Sequence, residues 1–437
     1  MRDFATSDDP QVQAQLDRLA ALSQPQGRIG IVAIRELLAR LDDPQAKIPP
    51  AFHVAGTNGK GSTCAFLRAM LEAEGYTVHA TTSPHLVRYN ERIRIAGRLI
   101  GDGELAALLS EVLDTAAELP ISFFEATIAA SFLAFSRHPA DACVIETGLG
   151  GRLDATNVME RPAVCGIATL GIDHERFLLA PEEGTPEEPL VRIAFEKAGI
   201  AKKGVPLVTM GKLYPPEARE EIAAIAKQVG APLFEYGNGW AAKAGGGDNH
   251  LIYGEGTDCY FHGPPPALVG RHQIINAGLA IAMIRRQSQL AVSEEALKAG
   301  ASAASWPARL QLLGDGPLTA LAQGRTIWLD GGHNPDAGAA IARHFAGQRL
   351  HVVLGMLANK QPLAIAGPLA ENIASLQVVP LPSHDYHEAS AFGPDAAAAA
   401  DVGSALSALP ADGLPVLIGG SLYLAGGVLR LNGELPD

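Results

Sequence analysis

Gly56-Thr57-Asn58-Gly59-Lys60-Gly61-Ser62 is the segment of this chain best equipped for chemistry. Its glycines let the backbone bend until N–H groups converge on phosphate oxygens. Lys60 would reach the β- and γ-phosphates of a nucleotide, and a Ser62 or Thr63 hydroxyl would approach a bound magnesium ion. The spacing is GxxGKGS rather than the common GxxxxGK[ST], so a strict pattern search would miss it. Three further places carry donors just beyond apolar runs. Ser83 follows Val78–Thr82, Glu146 closes Ala142–Glu146, and Asp173-His174 follows Val164–Leu170. Ligands gather at the carboxyl ends of strands in open α/β sheets, and hard oxygen donors suit magnesium. These residues together predict a nucleotide phosphate site with a cation.

The elements that must hold them alternate. Short apolar runs at Ala51–Ala55, Val78–Thr82, Ala142–Glu146, Val164–Leu170 and Val205–Met210 are each followed by a turn or helix, which predicts a parallel, doubly wound sheet. Phe52-His53-Val54-Ala55 would be a buried strand entering the glycine loop, with a helix over Thr63–Glu74 behind it. Residues 11–45 read as helical, broken at Pro25-Gln26-Gly27. Residues 232–263 read as a β-hairpin region, and helices are expected at 273–287 and 293–305. A boundary near Trp306-Pro307 predicts two domains, 1–301 and 302–437. The second has strand-like runs at Thr326–Asp330, Leu350–Leu354, Leu376–Pro380 and Pro415–Gly419. The alanine tract Ala396–Ala400 reads as a short helix.

Composition narrows the class. Of 437 residues 47% are hydrophobic and 19% charged, enough apolar material for a large core. The net charge of −13, from 34 basic and 47 acidic residues, argues against a nucleic-acid partner. Cys64, Cys143, Cys165 and Cys259 form no metal-type spacing and read as buried free thiols, which fits a reducing, cytoplasmic setting. Met1–Pro10 lacks the apolar core of a signal peptide, and no run approaches the roughly 18 apolar residues of a membrane span.

The motifs VAGTNGKGS (54–62), TSPHLVRYNERIRI (82–95), FFEA (123–126), ETGLGGRLDATN (146–157), DH (173–174), FEKAGI (195–200), GRHQIINA (270–277), WPARLQ (306–311) and DGGHNP (330–335) occur in that order. In this the chain resembles the folylpolyglutamate synthase/dihydrofolate synthase family of the bifunctional bacterial type, a branch of the Mur ligase superfamily. The resemblance implies an α/β fold: a Mur-ligase-like P-loop domain with a parallel-rich central sheet, plus a smaller Rossmann-like α/β domain. It implies an ATP-dependent ligase of folate biosynthesis. Such an enzyme couples L-glutamate to dihydropteroate, or adds γ-linked glutamates to a reduced folate, through an acyl phosphate. Lys60, Glu146, His174 and Lys197 would be catalytic. Gly56 to Ser62, Asn276, Arg309, Asp330 and His333 would bind ATP, with Asn276 at the adenine. Ser122, Phe123, Phe124, Glu125, Leu153, Asp154 and Ala155 would contact the pteroate or folate, with further contacts around Leu22–Gln24. Ser62, Ser83 and Glu146 would hold a first magnesium ion; His174 and a carbamylated Lys197 would hold a second. The resemblance also admits potassium, and it implies a monomer acting on small molecules without nucleic acid or membrane.

The chain departs from that family's pattern in places. Gly332 stands where alanine is usual and Ala308 where glycine is usual, both small changes. The segment between His174 and Lys197 is larger by about eight residues, with Glu182, Glu183, Glu187 and Glu188 among Pro181, Pro186 and Pro189. It is expected to be an exposed acidic loop, or else a cover over the glutamate or metal site. A monofunctional folylpolyglutamate synthase is the first rival reading. A Mur-type peptidoglycan ligase is the second, but the 55 residues before Gly56 are too few for its nucleotide-sugar domain. A simple phosphotransferase that stops at the phosphoryl step is a further rival, separated by glutamate-dependent ADP release with a folate or pteroate. A nucleotide switch would have no need of Lys60, Glu146, His174 and Lys197 together.

Overall fold

The computed structural model describes residues 5–22, 30–246, 250–256 and 258–437. Ser23, Gln24 and the Pro25-Gln26-Gly27 break lie outside these, as does the Cys259 side chain. The chain forms two units: Met1–Ala267 with Gln273–Ser305, and Leu268–His272 with Trp306–Asp437.

In the first unit the described strands are β1 (Ala51–Ala55), β2 (Val78–Thr81), β3 (Ile93–Ile95), β4 (Arg98–Leu99), β5 (Ala142–Glu146), β6 (Val164–Ile167), β7 (Leu207–Thr209), β8 (Leu233–Tyr236), β9 (Gly239–Gly245), β10 (His250–Glu255) and β11 (Asp258–Gly263). They form one sheet in the order β11-β10-β9-β8-β7-β6-β1-β5-β2-β3-β4. Pairing is parallel from β2 across β5, β1, β6 and β7 to β8. β1 and β5 are buried along their whole length, as expected of strands covered on both faces. The hairpin region is an antiparallel ribbon, β9-β10-β11. Before the sheet, helix Pro10–Ala20 is capped by Asp9, whose side chain accepts from Gln11 N and Val12 N, and buries Val12, Leu16 and Leu19. Helix Val32–Arg40 buries Ile34, Leu37 and Leu38 in the same core.

This order sets the site. β6, β1, β5 and β2 are neighbours with a common direction, so the turns after Ile167, Ala55, Glu146 and Thr81 share one edge. Val54 pairs with Glu146, and Ala55 with Ile167.

In the second unit β12 (Gln311–Leu312), β13 (Ile327–Asp330), β14 (Leu350–Leu354), β15 (Ile373–Val378), β16 (Ala396–Ala398) and β17 (Val416–Gly419) form a sheet in the order β12-β13-β17-β14-β15-β16. It is parallel apart from β12. The expected helix at Ala396–Ala400 is thus an edge strand paired with Leu376–Val378. Five alanines are too few for a self-supporting helix, and the open edge of β15 supplies backbone partners instead. Cys64, Cys143 and Cys165 are buried free thiols. Among the described residues no helix is long and apolar enough to cross a membrane.

Candidate active site

The phosphate loop is built as its sequence demands. β1 runs into Gly56–Gly59, and helix Lys60–Ala73 starts immediately after. Gly59 takes φ +82°, a left-handed conformation that costs other residues about 1–2 kcal/mol. A Cβ there would stand 2.7 Å from Oδ1 of Asn276. The loop is stapled to the segment after β6. Thr57 N donates to Thr169 O (2.7 Å), Thr57 Oγ1 donates to Gly171 O (2.8 Å) and accepts from Gly171 N (3.0 Å), and Thr169 Oγ1 donates to Asn58 O (3.0 Å). That segment continues to Asp173-His174, so the staples fix the two against each other. The Lys60 ammonium donates to Gly56 O (3.1 Å) and Thr57 O (3.4 Å). Ser62 and Thr63 are buried in the first helical turn, where N–H groups and the helix dipole favour an anion, and Thr63 Oγ1 has no hydrogen-bond partner.

Glu146 and Ser83 are brought together: Ser83 N donates to Glu146 Oε2 (3.2 Å), and Glu146 is almost wholly buried. Lys197 ends helix Pro189–Ala198 and is 3% exposed. Burial, with help from the Lys60 charge, pushes its ammonium down to about 7, against the pull of Asp173, Asp154 and Glu196. His174 has φ +54°, caps the short helix Glu175–Leu178, and places Nε2 3.9 Å from Asp173 Oδ2. Its side chain is 43% exposed.

Among the described residues no three or more His, Cys, Asp or Glu side chains gather into a metal cage. The donors present nonetheless fit magnesium, which takes one or two protein oxygens and fills its shell with water and phosphate. Glu146 supplies a buried carboxylate, and Ser83, whose backbone is bonded to it, carries a hydroxyl. A lysine amine at Lys197 is a poor ligand for such an ion unless it is converted to an oxygen donor.

The Gly148–Ala155 loop is held from inside. The Asp154 carboxylate, 2% exposed, accepts from Leu149 N (2.7 Å), Thr156 N (3.0 Å) and Thr156 Oγ1 (2.6 Å). His53 Nε2 lies 2.8 Å from the same Thr156 hydroxyl. The threonine proton is committed to Asp154, so His53 Nε2 carries a hydrogen and donates it. Burial depresses the His53 pKa to about 3, which keeps the ring neutral. Asp154 therefore faces the interior, and Ala155 is buried with it. Ser122 and Glu125 form a capping box on helix Phe123–Arg137: Ser122 N and Oγ donate to Glu125 Oε2 at 2.8 and 2.7 Å. Phe124 packs on Gly148, where a Cβ would stand 2.6 Å from its Cε1. Phe123 meets Tyr89 edge-on at 5.8 Å and lies 5.4 Å beneath the Arg92 guanidinium. Phe123, Phe124 and Leu153 are the half-buried apolar surfaces of this group.

Asn276 sits against Gly59 and donates through Nδ2 to Gln273 Oε1 (2.9 Å), so its amide lies at the phosphate loop. In the second unit Asp330 accepts from Leu310 N (2.8 Å) and Gly332 N (2.7 Å). Burial raises its carboxyl pKa, and the Arg309 charge opposes this. Ala308 and Leu310 adopt φ +56° and +45°, bending the chain around that carboxylate. His333 Nδ1 donates to Gly331 O (3.1 Å), and Asn334 caps helix Pro335–His344.

Several site residues escaped the sequence. Thr169 and Gly171 act through staples to Thr57 and Asn58, more than 100 positions away. His53 looked like a strand residue, and Thr156 was visible only as part of a longer motif. His272, in the GRHQ motif, is also close to Arg309, whose charge adds to burial in pushing its pKa down to about 4.

No protein-family model matches the chain. It is 37% identical over 393 residues to the dihydrofolate synthase/folylpolyglutamate synthase of Bacillus subtilis, covering 85% of this chain and 84% of that one. Its fold is similar to that of Escherichia coli FolC in complex with DHPP and ADP, with TM-score 0.82 at 28% identity over 98% of both chains. A bifunctional folylpolyglutamate synthase/dihydrofolate synthase with Mn, AMPPNP and L-glutamate bound also has TM-score 0.82, at 28% identity over 98% of this chain and 99% of that one. With 37% identity over 85% of this chain and 84% of the Bacillus subtilis protein, and the same fold over 98% of the chain in the solved structures, the chain belongs to the dihydrofolate synthase/folylpolyglutamate synthase family.

Proposed function

We propose that this chain is an ATP-dependent ligase that joins L-glutamate to dihydropteroate and adds further γ-linked glutamates to reduced folates. The observation that carries the reading is the phosphate loop stapled to the segment after β6, with Lys60, Glu146 and Lys197 around one strand edge, in a member of this family. A carboxylate oxygen of the substrate attacks the γ-phosphorus of ATP, and the bond to the β–γ bridging oxygen breaks. The acyl phosphate so formed is attacked by the glutamate amine; an amide forms and phosphate leaves. Backbone N–H groups of Gly59–Ser62 and Lys60 bind the phosphates and hold the γ-phosphoryl in line. Ser83, Glu146 and the Ser62 hydroxyl would hold a divalent cation, magnesium in our reading, which would supply neutralisation of charge on the transferred phosphoryl group. Phe123, Phe124 and Leu153 line the pterin side, and Ser122, Glu125, Asp154 and Ala155 hold that wall in shape. In the second unit, which we read as the smaller Rossmann-like domain, Arg309, Asp330 and His333 are our proposed nucleotide contacts.

We also propose that Lys197 is carbamylated and, with His174, holds the second cation. Its neutral amine attacks the carbon of carbon dioxide and loses a proton, giving a carbamate whose oxygens suit magnesium. Burial favours this, because near neutral pH it leaves much of the amine uncharged. An unmodified ammonium at Lys197 in a magnesium-bound crystal structure would contradict it. Purified protein supplied with dihydropteroate, ATP and glutamate tests the bifunctional reading. Dihydrofolate should appear with one ADP per amide. Glutamate addition to a reduced folate alone would leave the monofunctional synthase.

A further inference from the structure

The acidic segment between His174 and Lys197 is not simply an exposed loop. Glu182 is 13% exposed and turns inward, while Glu183, Glu187 and Glu188 face solvent. Its carboxylate takes a two-point contact from Arg152: Nη2 to Oε2 at 2.6 Å and Nη1 to Oε1 at 3.2 Å. Arg152 makes a second such contact with Glu196, Nη2 to Oε1 at 2.7 Å and Nε to Oε2 at 3.2 Å. Arg192, itself buried, reaches Glu182 (2.9 Å) and Glu196 (3.1 Å), and both guanidiniums lie over the Phe195 ring. Two cations and two anions thus balance in a partly buried cluster, with the Arg152 side chain 23% exposed and that of Arg192 6%. Take Glu182 away and two guanidiniums share one carboxylate, which is costly where burial limits the water that can screen them.

The cluster lies between two parts of the proposed centre. Arg152 ends the glycine loop that starts at Glu146, and its N donates to Glu196 O at 2.6 Å. Gly151 is pressed on the same turn: a Cβ there would stand 2.8 Å from Glu196 O and 2.9 Å from Lys197 O. We propose that Glu182 is a positioning residue, which locks Arg152, and through it the Glu146 loop, onto the turn that carries Lys197. The inference rests on the reading of Glu146 and Lys197 as cation ligands.

The test is calorimetric titration of Mn2+ into the full chain with ADP present, alongside the rate of glutamate-dependent ADP release and the thermal midpoint. Glu182→Gln should weaken Mn2+ binding about tenfold, at the low end for an outer partner of a metal ligand, with kcat at saturating Mn2+ changed less than about twofold. Glu182→Asp, which keeps the charge, should recover most of that loss, and Glu183→Gln should bind Mn2+ as the wild type does. An unchanged Mn2+ affinity in Glu182→Gln, or an equal loss in Glu183→Gln, overturns the proposal. So does a lowered thermal midpoint without any change in Mn2+ affinity. A wild type that bound no Mn2+ beside ADP would remove the ligands on which the inference stands. A wild type that bound Mn2+ and ADP but ligated nothing would overturn the proposed function and leave this inference standing on its titration.

Discussion

Replacing Gly59 by alanine tests how the phosphate loop is held. At φ +82° an alanine costs about 1–2 kcal/mol. Its methyl would also stand 2.7 Å from Asn276 Oδ1, well inside normal contact. Asn276 must then shift, at the expense of its 2.9 Å hydrogen bond to Gln273, and a buried neutral bond of this kind contributes about 1 kcal/mol. The total is a loss of about 2–3 kcal/mol from the first unit, with weaker ADP binding. Urea unfolding followed by fluorescence of Trp240, buried in that unit, reads it. In an Asn276→Ala background the steric part disappears, so the same Gly59→Ala change should cost about 1 kcal/mol less. Equal costs in both backgrounds would refute the contact, and no cost in either would refute the strained turn.

Other expectations follow from the same geometry. Lys60→Ala should reduce ligation by about a thousandfold or more, since one charged donor to the phosphoryl group is lost; ADP release near the wild-type rate would remove the loop from the mechanism. Gly151→Ala should force the Lys197 turn outward and abolish cation-dependent ligation while ADP binding persists, read by activity and calorimetry in parallel. His53 is held neutral at a pKa near 3, below the 6.5 of the unfolded chain. Between pH 6.5 and 3 the unfolded state therefore binds the extra proton, and this residue makes stability fall with acid by about 1.4 kcal/mol per pH unit. His53→Gln, which retains a donor for Thr156, should flatten the stability profile in that window relative to wild type. An identical slope would contradict the assigned neutral ring.

Strand positions were legible where burial on both faces left a mostly apolar run. Ala51–Ala55, Ala142–Glu146 and Leu350–Leu354 occur with those bounds. The Ala396 tract misled because alanine propensity carries no information about an open sheet edge nearby. In the site, the residues we propose to bind phosphate are marked by glycine and lysine spacing. Residues that act through others did not. Glu182 looked like one carboxylate among four, and only its approach to Arg152 and Arg192 separates it from its neighbours. Asp154 likewise read as a ligand contact, yet its oxygens are turned to Leu149 and Thr156. Such roles depend on which distant segments meet, and spacing along one chain does not encode that.

The central claim is that a substrate carboxylate is phosphorylated before it meets the amine. Dihydropteroate labelled with 18O in its carboxylate, incubated with the enzyme, ATP and glutamate, tests it directly. The account predicts one 18O atom in each phosphate released, because the acyl oxygen leaves with the phosphoryl group. Phosphate free of label, formed at the same rate as dihydrofolate, would contradict it.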